Sequence, residues 1–286
     1  MEPRGACFDS LPDDIVHHLF QFVGKPIHGL SLKIHKLCTE WEINWLQRNI
    51  SNFRAKSRSL YVYDPRRDNI TSYERSKGYD GVITNFTELN HLKCTEQINI
   101  VIRFGFHILD HSLEQMLKHF AGSSALIRII GTSATIAHLQ MPAALEIQSR
   151  VSFHNLYLSL GASFAWKQGY RDVDTGLEVG GTCKLHNCQI ALNRGIIKVT
   201  FRGTFEAENC RFWNHCSRAA VGQDGIAIIS SFGASTVAVK GSTFDDMWSC
   251  IQFIEEDDCT LVCKCPICKC AHCASMIFIV CYTVER

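Results

Sequence analysis

The sequence predicts a mainly β chain, a parallel β-helix solenoid, preceded by a small all-α module. Three observations carry this prediction. An eight-residue phrase recurs through the second half of the chain, and apolar residues alternate at the strand period within each copy. Helical periodicity, with its start and stop signals, is concentrated in residues 1–51.

The helical module comes first. Pro12 suits the first position of a helix, where its fixed φ fits and its missing N–H goes unneeded. Ser10 stands before it as an N-cap, and Asp13 and Asp14 place negative charge in the first turn. Ile15, Leu19, Phe22 and Val23 fall on one face with Phe20 beside it, and Gly24 and Pro26 stop the helix. Leu30, Ile34, Leu37, Trp41 and Trp45 repeat the pattern. Helices this short bury too little for a core of their own, so stability comes from a partner or from the domain that follows.

Amphipathicity alone describes a helical hairpin capping the next domain. The phrases Leu11-Pro12-Asp13-Asp14-Ile15, Leu19-Phe20-Gln21-Phe22-Val23 and Leu37-Cys38-Thr39-Glu40-Trp41 say more. Together, in this order, they resemble the F-box, a short helical module that docks the Skp adaptor of cullin–RING ubiquitin ligases. The resemblance implies that Leu11, Pro12, Ile15, Leu19, Phe20 and Val23 face the Skp adaptor, with a cullin beyond it. The remainder of the chain then recognises a protein target. The family usually carries Glu where Asp14 stands, and the spacer Lys25–Leu32 is more polar than usual.

Composition narrows the setting. Lysine and arginine number 29 against 28 aspartates and glutamates, a net charge of +1, so nothing pulls the whole chain toward nucleic acid or an anionic membrane. Met1–Ser10 is too short and mixed for a secretory leader, and the longest apolar stretch, Met276–Tyr282, is too short to span a bilayer. Fifteen cysteines without a secretory signal read as reduced thiols in cytoplasm or nucleus. The sequons at Asn49, Asn69 and Asn85 are then coincidences.

Residues 52–95 read as a polar, partly structured linker with Arg54, Lys56, Arg58, Arg66 and Arg67. No aromatic stacking pattern accompanies these charges, so a solvated surface is favoured over a nucleic-acid patch. Residues 96–256 carry the repeats. Ile98–Arg103 and Leu126–Gly131 read as strands, and Asp110–Phe120 between them as a helix capping the first turns.

The clearest phrase, Gly181-Thr-Cys-Lys-Leu-His-Asn-Cys188, recurs 22 residues later as Gly203-Thr-Phe-Glu-Ala-Glu-Asn-Cys210. Ser149–Leu156 and Ser235–Ser242 are further copies, each offset by 32 residues from its neighbour. Gly195–Val199 also matches Ala227–Ser231 at that offset. Apolar residues alternate within each copy: Val151 and Phe153, Cys183 and Leu185, Phe205 and Ala207, Val237 and Val239. A corner follows on Asn155, Asn187, Asn209 or Gly241, residue types that tolerate the left-handed backbone. A β-sandwich would supply short alternating strands, but not near-identical phrases with asparagine at the same corner. This stretch resembles the right-handed parallel β-helix repeats of carbohydrate-active enzymes and of some F-box proteins.

The enzymatic side of that resemblance asks for clustered carboxylates on one face. Asp224, Asp245, Asp246, His215 and Arg218 are the candidates. Asp224-Gly225 reads as a turn, and Asp245-Asp246 falls just past a strand, where adjacent side chains would point opposite ways. His154, His186 and His215 recur near the corners, where stacked histidines could bind a metal, and His154 and His186 read as solvent-facing instead. Trp166, Tyr170, Arg171 and Trp213 read as loop residues of the types that carry binding energy at interfaces and are the target-binding candidates, with packing of Trp166 and Trp213 back onto the solenoid wall as the alternative.

Residues 257–286 form a cysteine-rich tail. The pairs Cys265/Cys268 and Cys270/Cys273 have zinc-knuckle spacing, with one residue between the pairs where a single four-thiolate site has a longer loop. They are the zinc candidates, with a disordered or truncated tail as the alternative. The expectation is a non-enzymatic adaptor that needs no cofactor and binds the Skp adaptor, a cullin and a protein target, with no nucleic acid or membrane. A β-helix polysaccharide hydrolase or lyase and a non-ligase scaffold are the competing readings.

Overall fold

A computed structural model describes Pro12, Ile15, Asn44 and Arg48, and residues 59–65, 79–93, 97–103, 105–131, 137–141, 144–160, 175–192, 196–200, 202–214, 227–232, 235–245, 249–254 and 260–264. The chain begins here with β1 (Ser59–Tyr63), β2 (Gly81–Ile83) and a 3-10 helix, Phe86–His91. It continues through β3 (Gln97–Ile102), β4 (Gly105–Ile108) and the helix α1 (Ser112–His119). One turn follows as β5 (Leu126–Gly131), β6 (Ala137–Gln140) and β7 (Leu145–Ile147). The next is β8 (Arg150–His154), β9 (Tyr157–Leu160) and β10 (Thr175–Val179). Then come β11 (Thr182–His186), β12 (Gln189–Leu192) and β13 (Ile196–Val199). They are followed by β14 (Thr204–Glu208), β15 (Arg211–Asn214) and β16 (Ala227–Phe232). The last strands are β17 (Thr236–Lys240), β18 (Thr243–Asp245), β19 (Ser249–Ile254) and β20 (Thr260–Lys264).

The protein is mainly β, and the described strands pair in parallel. They build a nine-stranded sheet ordered β2-β1-β3-β5-β8-β11-β14-β17-β20. A six-stranded sheet runs β18-β15-β12-β9-β6-β4, and a five-stranded sheet β19-β16-β13-β10-β7. From β5 onward the chain visits the three sheets in the same order each turn. In the turn before, α1 stands where the five-stranded sheet would receive a strand, packed against the 3-10 helix and β7.

Register follows the repeats. Thr182 lies beside Thr204 and Arg150, the offsets of 22 and 32 residues read from the phrases. Ile197 lies beside Ile229 at the second offset. The alternating apolar positions turn inward: Val151, Cys183, Phe205 and Val237 stack in one column at 0% exposure. Phe153, Leu185, Ala207 and Val239 stack in the next. Each fully buried large apolar side chain stabilises by roughly 1.5–3 kcal/mol relative to exposure, so the columns hold neighbouring turns together.

The corners are left-handed, with φ of 53° at Asn155, 52° at Asn187, 54° at Asn209 and 59° at Gly241. Asparagine suits this conformation better than most residues with a Cβ, which is why it returns at three of these four corners, with glycine at the fourth. Helix α1 forms where Leu113, Met116 and Leu117 present one buried face. The Asp110 carboxylate accepts the Ser112 N–H at 2.9 Å at its start. The helix occupies Ser112–His119 within the expected span Asp110–Phe120.

Residues 52–95 contribute β1, β2 and the 3-10 helix to this architecture. Asn85, one of the sequon asparagines, caps that helix: its side chain accepts the Thr87 N–H at 2.9 Å, and Glu88 reaches back to the Asn85 N–H at 3.0 Å. Leu60, Val62, Val101 and Ile130 alternate with the inward-facing residues of β1, β3 and β5, yet are at most 3% exposed. These first strands are therefore buried on both faces. Arg103, just past β3, reaches Asp64, just past β1, at 2.6 Å, with side chains 11% and 5% exposed. At the other end β20 begins inside the stretch read as a tail, with Cys263 in register with Val239.

Candidate functional site

Of the six residues expected to face an adaptor, Pro12 and Ile15 are described. Pro12 is exposed, and Ile15 is helical and 43% exposed. Leu11, Leu19, Phe20 and Val23 lie outside the described residues. An apolar, β-branched side chain left at the surface of a helix is available to a partner, although a single such residue is ordinary on a protein surface.

The target-binding candidates belong to, or stand next to, two connections between the six-stranded and the five-stranded sheets. Trp166, Tyr170 and Arg171 lie outside the described residues, but the connection that contains them leaves the six-stranded sheet at Leu160 and enters the five-stranded sheet at Thr175. The connection after β15 leaves at Asn214 and arrives at Ala227 by the same route. Leu160, Leu192 and Asn214 are in register, so the two connections start on strands two steps apart, about 10 Å. Trp213 occupies the β15 position between Ala191 and Asp245. The shorter connection between β12 and β13 separates the two long ones.

Sequence reasoning passed over the outer face of the six-stranded sheet. Phe106, His138 and Tyr157 are register neighbours there. The Phe106 and His138 rings meet edge to face at 4.5 Å, and His138 tilts against Tyr157 at 4.1 Å. Phe106 is 47% exposed and Ile108, two positions along the same edge strand, 67%. The available signal was an aromatic residue at the same parity of three successive strand segments, too sparse to read without the register.

His138 Nε2 is buried without a hydrogen-bond partner. Burial, with a smaller contribution from nearby His107, pushes its imidazole down to about 4 from an ordinary 6.5. The unfolded chain therefore takes up this proton first as pH falls. Neutral His138 contributes stability that is present above about 6.5 and is lost as pH falls toward 4. In a histidine NMR titration, assigned with a His138→Phe variant, the His138 resonances are expected to stay unmoved between pH 7 and pH 5. A midpoint near 6.5 would show that water reaches the ring.

Of the carboxylates weighed for catalysis, Asp245 is described. Asp245 closes β18 rather than following it. Asp224, Asp246, His215 and Arg218 lie outside the described residues. His154 and His186 occur in successive turns with rings stacked at 4.8 Å and 10°. His154 Nε2 lies 3.1 Å from the Ser152 hydroxyl, and His186 Nδ1 3.4 Å from Glu208. No group of three or more His, Cys, Asp or Glu side chains among the described residues is placed to hold a metal. The zinc candidates Cys265, Cys268, Cys270 and Cys273 lie outside the described residues.

Three described cysteines, Cys183, Cys188 and Cys210, are buried free thiols. Burial pushes the Cys183 thiol well above its usual range. It does the same to Cys188, with the neighbouring Cys210 adding to the effect. These thiols pack the interior as small apolar groups. Among the described residues no helix is long and apolar enough to cross a membrane. Comparison with protein-family models, with curated proteins and with solved structures finds no match.

Proposed function

We propose that the chain is the substrate-recognition adaptor of an SCF-type cullin–RING ubiquitin ligase. In this reading residues 1–51 are an F-box, and Leu11, Pro12, Ile15, Leu19, Phe20 and Val23 dock the Skp adaptor. The repeats are a right-handed parallel β-helix that presents a target protein. The observation that carries the reading is the F-box-like phrase set at Leu11–Val23 and Leu37–Trp41, ahead of a repeating parallel-sheet body. The exposure of Pro12 and Ile15 supports it, as do two long connections that leave the six-stranded sheet from strands two steps apart.

The chemistry required of such a chain is positional. Ubiquitin transfer belongs to the ligase, and the adaptor raises the effective concentration of a target lysine near the transferring enzyme. A stack of in-register strands is a suitable spacer, because each turn is fixed by hydrogen bonds to the turns on either side. No cofactor is needed for this role. Zinc at Cys265, Cys268, Cys270 and Cys273 would be structural, and the setting is cytoplasm or nucleus without a nucleic-acid or membrane partner.

The test is capture of the Skp adaptor and cullin by the full-length chain beside a Leu11→Ala/Pro12→Ala double variant. Wild-type capture is expected to fall at least about tenfold in the double variant, since two apolar anchors lost from an interface cost on the order of 2 kcal/mol or more. Far-UV circular dichroism of the variant is expected to keep the β spectrum. A folded wild-type chain that captures neither partner would overturn the reading, and binding to an acidic polysaccharide panel would then favour the enzyme.

A further inference from the structure

We propose that the outer face of β5, β8 and β11 is a binding site for a phosphoryl group carried on a protein segment, held by Arg128 and Arg150. The site stands on its own geometry; that the bound protein is a ligase target rests on the adaptor reading.

The strand period defines the face. Ile127 and Ile129, Val151 and Phe153, and Cys183 and Leu185 point into the core and are at most 1% exposed. The alternating positions turn outward: Arg128 on β5, then Arg150, Ser152 and His154 on β8, then Thr182, Lys184 and His186 on β11. Register sets Arg128 beside Ser152, and Ser152 beside Lys184. Arg150 lies two positions before Ser152 on the same strand, beside Thr182. Strands about 4.8 Å apart, with same-face residues about 7 Å apart along each, let both guanidinium groups reach one bound anion.

The charges on this face are unevenly compensated. Lys184 pairs with Glu206 at 2.6 Å and Lys240 with Glu208 at 2.9 Å, both farther along the nine-stranded sheet. On the five-stranded sheet Lys198 meets Glu178 at 3.5 Å, and on α1 Lys118 meets Glu114 at 2.7 Å. Arg128 and Arg150 have no acidic partner among the described residues. Arg150 is exposed, but Arg128 is half-buried, and burial pushes its guanidinium down from the usual range. An arginine keeps its charge at neutral pH even so. A partly desolvated cation without a counter-ion is unfavourable, and a bound anion offsets that cost.

The arrangement favours a phosphoryl group among anions. Planar guanidinium forks match its oxygens in bidentate fashion, and its charge of about −1.5 to −2 answers two cations. Ser152 lies beside Arg128 at 5% exposure, its hydroxyl 3.1 Å from His154 Nε2 in the stacked His154–His186 pair, so the two guanidinium groups are the groups open to the anion. A long polyanion fits less well, because β14 brings Glu206 and Glu208 onto the same face immediately beyond Lys184 and His186. A single phosphoryl group on an otherwise mixed-charge protein segment avoids those carboxylates, whereas nucleic acid or an anionic bilayer would meet them.

The experiment uses the full chain, Arg128→Gln/Arg150→Gln and Arg150→Glu. Inorganic phosphate is titrated at constant ionic strength with melting temperature as the readout. A degenerate peptide pool centred on phosphoserine, its unphosphorylated counterpart, single-stranded DNA and phosphatidylserine vesicles are then compared by equilibrium binding. The wild type is expected to be stabilised by phosphate and to prefer the phosphorylated pool by about tenfold or more, the value of one charge-assisted hydrogen-bonding group. Both effects are expected to vanish in the two variants. Arg150 is exposed, so Arg150→Glu remains decisive if the double variant folds poorly. No preference in the wild type, a preference that survives Arg150→Glu, or tighter binding of DNA or vesicles would each overturn the proposal. Skp-adaptor capture by Arg150→Glu is expected at the wild-type level, so loss of capture and loss of phosphate preference report separately on the two readings.

Discussion

Arg103→Ala is expected to lower the free energy of unfolding by about 3–5 kcal/mol, the range for breaking a buried ion pair from one side. Asp64 is 5% exposed and receives the Arg103 guanidinium at 2.6 Å. Truncation takes the guanidinium away from a buried carboxylate. The Arg103 carbonyl also lies 2.8 Å from His107 Nε2, which ties the start of β4 to the end of β3. Urea denaturation followed by circular dichroism measures the effect. Arg103→Met combined with Asp64→Leu is expected to recover most of the loss, because no charge is then stranded. A single variant within about 1 kcal/mol of wild type would mean that Asp64 is hydrated and that the first turn does not depend on the pair.

Gly203→Ala is the second substitution expected to act strongly. A Cβ at this position would stand 2.2 Å from the Val179 carbonyl oxygen and 2.9 Å from that of Thr200. Neither can yield cheaply. The Val179 oxygen accepts the Thr200 N–H at 2.9 Å, and the Thr200 oxygen accepts the Gly203 N–H at 2.8 Å. Relief therefore requires two turns to separate, and a loss of about 3 kcal/mol is expected, at the upper end of overpacking costs. For a chain of this size that corresponds to a melting temperature lower by about 2–4 °C per kcal/mol. Gly81→Ala is the control: the nearest atom to its Cβ is a Tyr61 ring carbon at 3.5 Å, an ordinary contact. Equal losses at both sites would show that glycine entropy, rather than close backbone approach, sets the cost.

The two substitutions differ in how far the sequence foretold them. Gly203 and its counterpart Gly181 open the recurring phrase, and the same backbone approach explains why both are glycine: a Cβ on Gly181 would stand 2.3 Å from the Ser149 oxygen. A feature that depends on stacking identical units is visible as repetition. The Arg103–Asp64 pair joins residues with no such signature. Strand β1 was hidden as well, because Ser59-Leu-Tyr-Val-Tyr63 is a short apolar run inside a stretch rich in arginine and lysine. Its burial on both faces removes the alternation by which a half-exposed strand is recognised. The proposed surfaces divide in the same way. Pro12 and Ile15 could be named from a local phrase, whereas the Phe106–His138–Tyr157 ladder and the uncompensated Arg128 and Arg150 depend on strands drawn from separate turns.

By itself, the sequence determined the repeat unit, its offsets and its corners. Inward alternation and a left-handed asparagine are properties of a few consecutive residues, and in-register stacking repeats them turn after turn. Only the tertiary structure decided which cations meet a carboxylate, which strands are covered on their second face and which turns stand side by side. Charge pairing and burial act between neighbours in space, and the long-range register that creates those neighbours is set by whole turns of the chain.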